Sequence, residues 1–107
     1  MQHYHRTLLH KAVYWSDDDS HVQLVQELLE AGIQVDAQDY RKSTALHFVG
    51  VSGENPALAK LLLDSRANPN AKDEYGCTPL DCAEDNEYDE TAKVISALGG
   101  RRASELN

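Results

Sequence analysis

A chain of 107 residues and 11.9 kDa is long enough for one hydrophobic core and too short for two separate ones. Apolar residues at 41% and charged residues at 26% give the composition of a folded chain and not of a disordered tail. A net charge of −8 argues against nucleic acid or anionic lipid as partner, since phosphate contacts need a basic surface. No run reaches the roughly 18 apolar residues of a membrane span, and Met1 to His5 lacks the apolar stretch of a secretory signal, so an intracellular location is expected.

The charge is unevenly spread. Asp73, Glu74, Asp81, Glu84, Asp85, Glu87, Asp89 and Glu90 hold eight of the 18 acids with no base among them, while the rest of the chain is formally neutral. Cys77 and Cys82 are too few for a disulfide framework and lack the second pair of a zinc ribbon, so both are expected as thiols.

In chain order, the first helix is expected from Thr7-Leu8-Leu9-His10-Lys11-Ala12-Val13, and the second from the apolar pattern Val22 to Leu29. The same pair returns as Thr44-Ala45-Leu46-His47-Phe48-Val49-Gly50 followed by Leu58 to Leu63. It returns again as Thr78-Pro79-Leu80-Asp81-Cys82-Ala83-Glu84 followed by Thr91 to Ile95. The threonines stand 37 and 34 residues apart, so the unit is two helices and an extended connection. Extra residues in the first two units fit best in the interhelix loops at Ser16 to Ser20 and near Glu54.

These residues resemble the ankyrin repeat, whose period is about 33 and whose signature is T-P-L-H-x-A. Thr78-Pro79-Leu80 and Leu46-His47 match it directly, and Ala67 to Gly76 is similar to the family's hairpin with a glycine before the next threonine. The resemblance covers residues 2 to 99 and implies an all-α repeat solenoid: stacked antiparallel helix pairs linked by β-hairpin-like loops. Repeats are expected at about 2–38, 39–72 and 73–99, with a short polar tail at 100–107.

Threonine before each first helix is expected to cap it, and proline in the first turn loses no hydrogen bond there. Leu24, Val25, Leu28 and Leu29, repeated as Leu58, Ala59, Leu62 and Leu63, are expected to bury one side of each second helix. Thr91, Ala92, Ile95 and Ser96 weaken that face in the third unit, as a terminal repeat with a wet outer side requires. Two places depart from the pattern. Asp81 stands where the other units have His10 and His47, and Arg66 stands where Gly32 ends its helix, so the Arg66 turn is expected to be strained or different.

Catalytic signatures are absent: there is no phosphate-cradling loop, G-x-S-x-G or H-E-x-x-H. The family resemblance implies structural roles for His10 and His47, and His3 and His5 have no further ligands at tetrahedral spacing, so no metal or other cofactor is expected. Cys77 falls in a hairpin, and Cys82 is read as facing its partner helix.

The resemblance implies that a protein partner meets the hairpin tips and the concave face of the first helices. Alignment of the threonines puts Tyr4, Tyr40 and Tyr75 at tips and Tyr14 and Trp15 at the end of the first helix. Such aromatics bury large area at little entropic cost; the alternative is that they pad hairpins or fold under the Ser16 to Ser20 loop. Glu84, Asp85 and Glu87 would steer a basic partner or serve only as a solubilising cap, and Asp17 to Asp19 add negative charge at the other end, leaving Arg41 and Lys42 between. Arg101-Arg102-Ala103-Ser104 is similar to an R-R-x-S kinase target, weighed against a frayed terminus. The leading expectation is a small stand-alone, monomeric binder that masks or positions one protein, such as an inhibitor, immunity or antitoxin protein of a basic enzyme. The alternative is a scaffold or regulatory module of a longer protein.

Overall fold

The computed structural model describes residues 8–14, 19–52 and 55–106, and within them every side chain except those of Leu8, Tyr14, Asp19, Ser20, His21 and Ser52. Among these residues it is all-helical: α1 (Leu8–Tyr14), α2 (Asp19–Glu30), α3 (Ala45–Ser52), α4 (Pro56–Asp64), α5 (Pro79–Asp85) and α6 (Asp89–Ala97), then a 3-10 turn at Ala103–Glu105. The inner helices α1, α3 and α5 pack in a row, α4 packs on α6 in the outer row, and α2 lies against α1.

Local chemistry starts and stops these helices. Thr78 caps α5 by accepting the Asp81 N–H, the Asp81 carboxylate accepts the Thr78 N–H in return, and Pro79 opens the first turn. Asn55 caps α4 ahead of Pro56. α2, α4, α5 and α6 end in one geometry. The N–H of Ile33, Ala67, Tyr88 and Gly100 reaches back to the carbonyl of Leu28, Leu62, Ala83 and Ile95, over a preceding residue with positive φ. That residue is Gly32 or Gly99 twice, but Arg66 (φ 73°) and Glu87 (φ 60°) in the other two. The Arg66 turn therefore keeps the geometry of its glycine counterparts and carries the strain.

The core runs continuously through the stack, from Leu9 and Val13 through Leu46, Val49, Leu58 and Leu62 to Leu80, Ala83 and Ile95. At the closest approach of α3 to α5, a Cβ on Gly50 would lie 2.8 Å from Cys82 Cβ and 2.9 Å from the Ala83 nitrogen. Polar side chains tie unit to unit. Thr91 Oγ1 accepts the Asn55 N–H at 2.9 Å, Asn86 Nδ2 donates to the Gly50 carbonyl at 3.0 Å, and Asp36 accepts the Asn68 N–H at 2.8 Å.

The expected burial of α2 needs correction. Val25 is fully buried, but Leu28 and Leu29 are half-buried and Leu24 is 41% exposed, whereas Leu58 and Thr91 in the equivalent places are 0% exposed. Thr91 faces the preceding unit through Asn55. The same side of α2 points away from the stack, so among the described residues nothing from a neighbouring repeat covers Leu24. Asp19 and Ser20, expected in a loop, belong to the first turn of α2.

Candidate functional site

The connections between units end in two matching tips. Asp39 Oδ1 accepts the N–H groups of Arg41 (2.8 Å) and Ser43 (3.0 Å), and Asp73 Oδ1 accepts those of Tyr75 (2.9 Å) and Cys77 (2.9 Å). Each aspartate thereby folds the four residues after it into a tight turn. Lys42 (φ 61°) and Gly76 (φ 80°) hold the left-handed place in these turns. The tips join where the Glu74 N–H donates to the Arg41 carbonyl at 2.8 Å.

Behind the tips, histidine locks hairpin to helix. His47 Nε2 lies 2.8 Å from the Cys77 carbonyl, which can only accept, so this nitrogen carries the proton. Nδ1 then accepts the Thr44 N–H at 3.1 Å. Burial is the main cause of the lowered His47 pKa, outweighing the Cys77 carbonyl and the Asp73 and Asp39 charges, so the ring is held neutral. His10 Nε2 makes the matching 2.8 Å contact with the Ser43 carbonyl.

Between the two tips and the inner helices lies a groove of about 240 Å³. Phe48, Val51 and Cys82 supply its apolar floor, and Arg41 and Tyr75, in equivalent places of consecutive tips, supply its walls. Val51 is 49% and Tyr75 74% exposed, so large apolar surface is presented to solvent here. Asp39 and Asp73 also line the groove. The Cys82 thiol is pushed up to about 12, first by burial and then by Asp73, Cys77, Asp81 and Asp85. Burial followed by the same three aspartates also raises Cys77.

The sequence-predicted residues fall into different settings. Arg41 and Tyr75 line the groove together. Tyr40 stands one place earlier in its tip and outside the groove lining; its hydroxyl accepts from Arg41 Nε at 2.9 Å, and the guanidinium lies 5.3 Å from the ring centroid, so it steadies Arg41. Asp85 is exposed one turn beyond Cys82 on α5, and Glu87 is exposed at the left-handed residue after that helix. Glu84 is separate from the groove: Arg102 holds it through two hydrogen bonds of 2.6 and 2.9 Å. Tyr4 and Trp15 lie outside the described residues, as does the Tyr14 side chain.

Cys82 faces α3 across Gly50, where the sequence reading had turned it toward its own partner helix, because the glycine opens room on that side. Phe48 and Val51 were not singled out from sequence. The available signal is position: Val51 stands seven residues after Thr44, as Tyr14 stands seven after Thr7. Among the described residues no group of three or more His, Cys, Asp or Glu side chains could hold a metal; His3 and His5 lie outside them.

Residues 9–101 match the family model for ankyrin repeats in three copies, and the chain belongs to the ankyrin repeat family. It is 34% identical over 88 residues to the E3 ubiquitin-protein ligase Ufd4 of Drosophila melanogaster, covering 79% of this chain and 3% of that protein. It is 33% identical over 91 residues to Rabankyrin-5 of Homo sapiens, covering 84% of this chain and 7% of that one. A transient receptor potential cation channel subfamily A member 1 homolog of Caenorhabditis elegans is 40% identical over 76 residues, 70% of this chain and 6% of that protein. The chain thus spans less than a tenth of each of these relatives. Ankyrin repeats generally mediate protein–protein interaction and are typically non-catalytic. No helix among the described residues is long and apolar enough to cross a membrane.

Proposed function

We propose that this chain is a protein-binding module that receives a basic segment of its partner in the groove between the second and third units, with an apolar side chain of that segment seated on Phe48, Val51 and Cys82. The observation that carries this reading is the pairing of exposed apolar surface, at Val51 and Tyr75, with the Asp39 and Asp73 carboxylates that line the same groove. Tyr75 serves as anchor, and Arg41, fixed by Tyr40, selects against a second cation beside it. Asp85 and Glu87 steer approach. The repeat pattern of the sequence alone assigns Tyr4, Tyr14 and Trp15 to the same binding side. In this reading the chain masks or positions an intracellular partner, as an inhibitor of a basic enzyme does, and has no catalytic role of its own; a thiol held protonated to about 12 is a poor nucleophile.

Replacing Tyr75 with a photoreactive phenylalanine and cross-linking in a host extract tests this directly. The expected adduct is one basic protein, lost when Val51→Asp is added; adducts that survive Val51→Asp place the contact elsewhere.

A second reading, a scaffold or regulatory module within a longer protein, is favoured by the outward Leu24, which occupies the place where Leu58 is fully buried and Thr91 meets the preceding unit. The much greater length of the relatives agrees with it.

A further inference from the structure

The chain after α6 first follows the repeat and then leaves it. Arg101 N–H donates to Asn70 Oδ1 at 2.8 Å, the same bond that Asn68 makes to Asp36 one unit earlier. Beyond it the Arg101 carbonyl accepts the Thr78 hydroxyl at 2.7 Å, and the Ala103 N–H donates to Asp81 Oδ2 at 3.1 Å. Where His10 and His47 donate to a carbonyl of the following unit, Asp81 accepts an N–H from this strap instead. That reversed polarity gives the aspartate at the histidine place a physical reason. Arg102 completes the seat on Glu84 and lies 3.9 Å from Glu105.

The strap itself is short. Its 3-10 turn rests on the Glu105 N–H to Arg102 carbonyl and Leu106 N–H to Ala103 carbonyl bonds, and no residue of that turn is buried. Segments held by a few exposed hydrogen bonds open locally at far lower cost than the core. Opening would present an extended Arg101-Arg102-Ala103-Ser104, two guanidinium groups ahead of an exposed serine.

We propose that Ser104 is a phosphorylation site for an arginine-directed kinase and that its phosphate unseats the strap from α5. In the modification the Ser104 Oγ attacks the γ-phosphorus of a nucleoside triphosphate, its proton passes to the kinase base, and the nucleoside diphosphate leaves. The product carries about two negative charges one residue from the Ala103–Asp81 bond. It lies beside Glu105 and competes with Glu84 for Arg102, the cation that bridges both carboxylates. Reseating would bring the phosphate against Asp81 and Glu84, so the open strap is favoured and Glu84 is left uncompensated at the end of the stack. This inference is independent of the groove and its partner.

The test treats the intact chain with an arginine-directed serine kinase and ATP, followed by intact mass and amide hydrogen exchange. One phosphoryl group is expected, absent in Ser104→Ala, together with exchange at Arg101 and Ala103 about tenfold faster while the α3 and α4 amides are unchanged. Glu84→Gln, which frees Arg102 without altering the kinase motif, is expected to raise the phosphorylation rate severalfold. No incorporation into either the parent or Glu84→Gln would overturn the site, and incorporation with unchanged exchange at Arg101 and Ala103 would overturn the release.

Discussion

Arg66 shows how one side chain can hold a geometry that does not suit it. Its φ of 73° matches the turns made by Gly32 and Gly99, and the bonds from Arg66 and Ala67 back to Leu63 and Leu62 leave the chain no other path. A left-handed non-glycine residue costs about 1–2 kcal/mol, and glycine returns part of that as entropy of the unfolded chain, so Arg66→Gly should stabilise the protein by up to about 1 kcal/mol. Urea denaturation would measure it; equal or lower stability would mean that the arginine makes up the strain elsewhere. His47 makes a second prediction at this scale. Its folded pKa lies below the ordinary histidine value of 6.5, so the unfolded chain takes up the proton more readily. The contribution is complete above pH 6.5 and declines as pH falls toward the folded value. The melting temperature should therefore drop as the pH falls below about 6.5, and the drop should be shallower in His47→Asn, less stable though that variant is at neutral pH. Parallel pH profiles for the two proteins would remove His47 as the cause.

At the scale of the element, cost follows which side of a helix has a neighbour. Leu62 on α4 is 0% exposed, and Leu62→Ala should cost roughly 2–5 kcal/mol. Leu28, at the same place on α2, is only half-buried and should cost less, while Leu24→Ser should be nearly neutral. A thermal melt series of the three variants orders them; a Leu24→Ser loss as large as that of Leu62→Ala would mean that something covers α2. Gly50→Ala tests the seam between α3 and α5. The added methyl meets Cys82 Cβ and the Ala83 backbone nitrogen below 3.0 Å, and backbone cannot yield as a side-chain end can. A loss of about 1–3 kcal/mol is expected, as for overpacked cores. An unchanged melting temperature would show that the inner row can slide.

Over the whole molecule, charge and apolar surface should separate kinetically once a partner is in hand. Tyr75→Ala should weaken binding by about 2 kcal/mol, chiefly through faster dissociation, with folding unaffected because the ring is 74% exposed. Neutralising Asp85 and Glu87 together should slow association and flatten its salt dependence, leaving dissociation nearly unchanged. Glu84 is omitted from that set because Arg102 already compensates it. Stopped-flow kinetics at two ionic strengths distinguish the effects; an aromatic variant that changes only association would move the anchor away from Tyr75.

Much of this organisation is written in local chemistry. The recurring threonines, His10 and His47, the apolar helix faces and Gly76 are each recognisable within one unit, because caps, turns and amphipathic periodicity act over a few residues. The tip tyrosines and Arg41 could be picked out for the same reason. What only the tertiary structure decided depends on which unit lies next to which. Leu24 and Leu58 are the same residue in the same pattern, yet one is exposed because, among the described residues, no helix of a preceding unit lies against its side of α2. Phe48, Val51 and Cys82 become a groove floor only when α3 and α5 close over Gly50. Glu84 belongs to the acidic run in sequence, yet Arg102, 18 residues away, pairs with it in the fold. Asp81 read as a departure from the repeat until the chain folded back to offer it an N–H. Sequence carries the unit because its forces are local; neighbours distant in the chain determine exposure, pairing and the shape of the site.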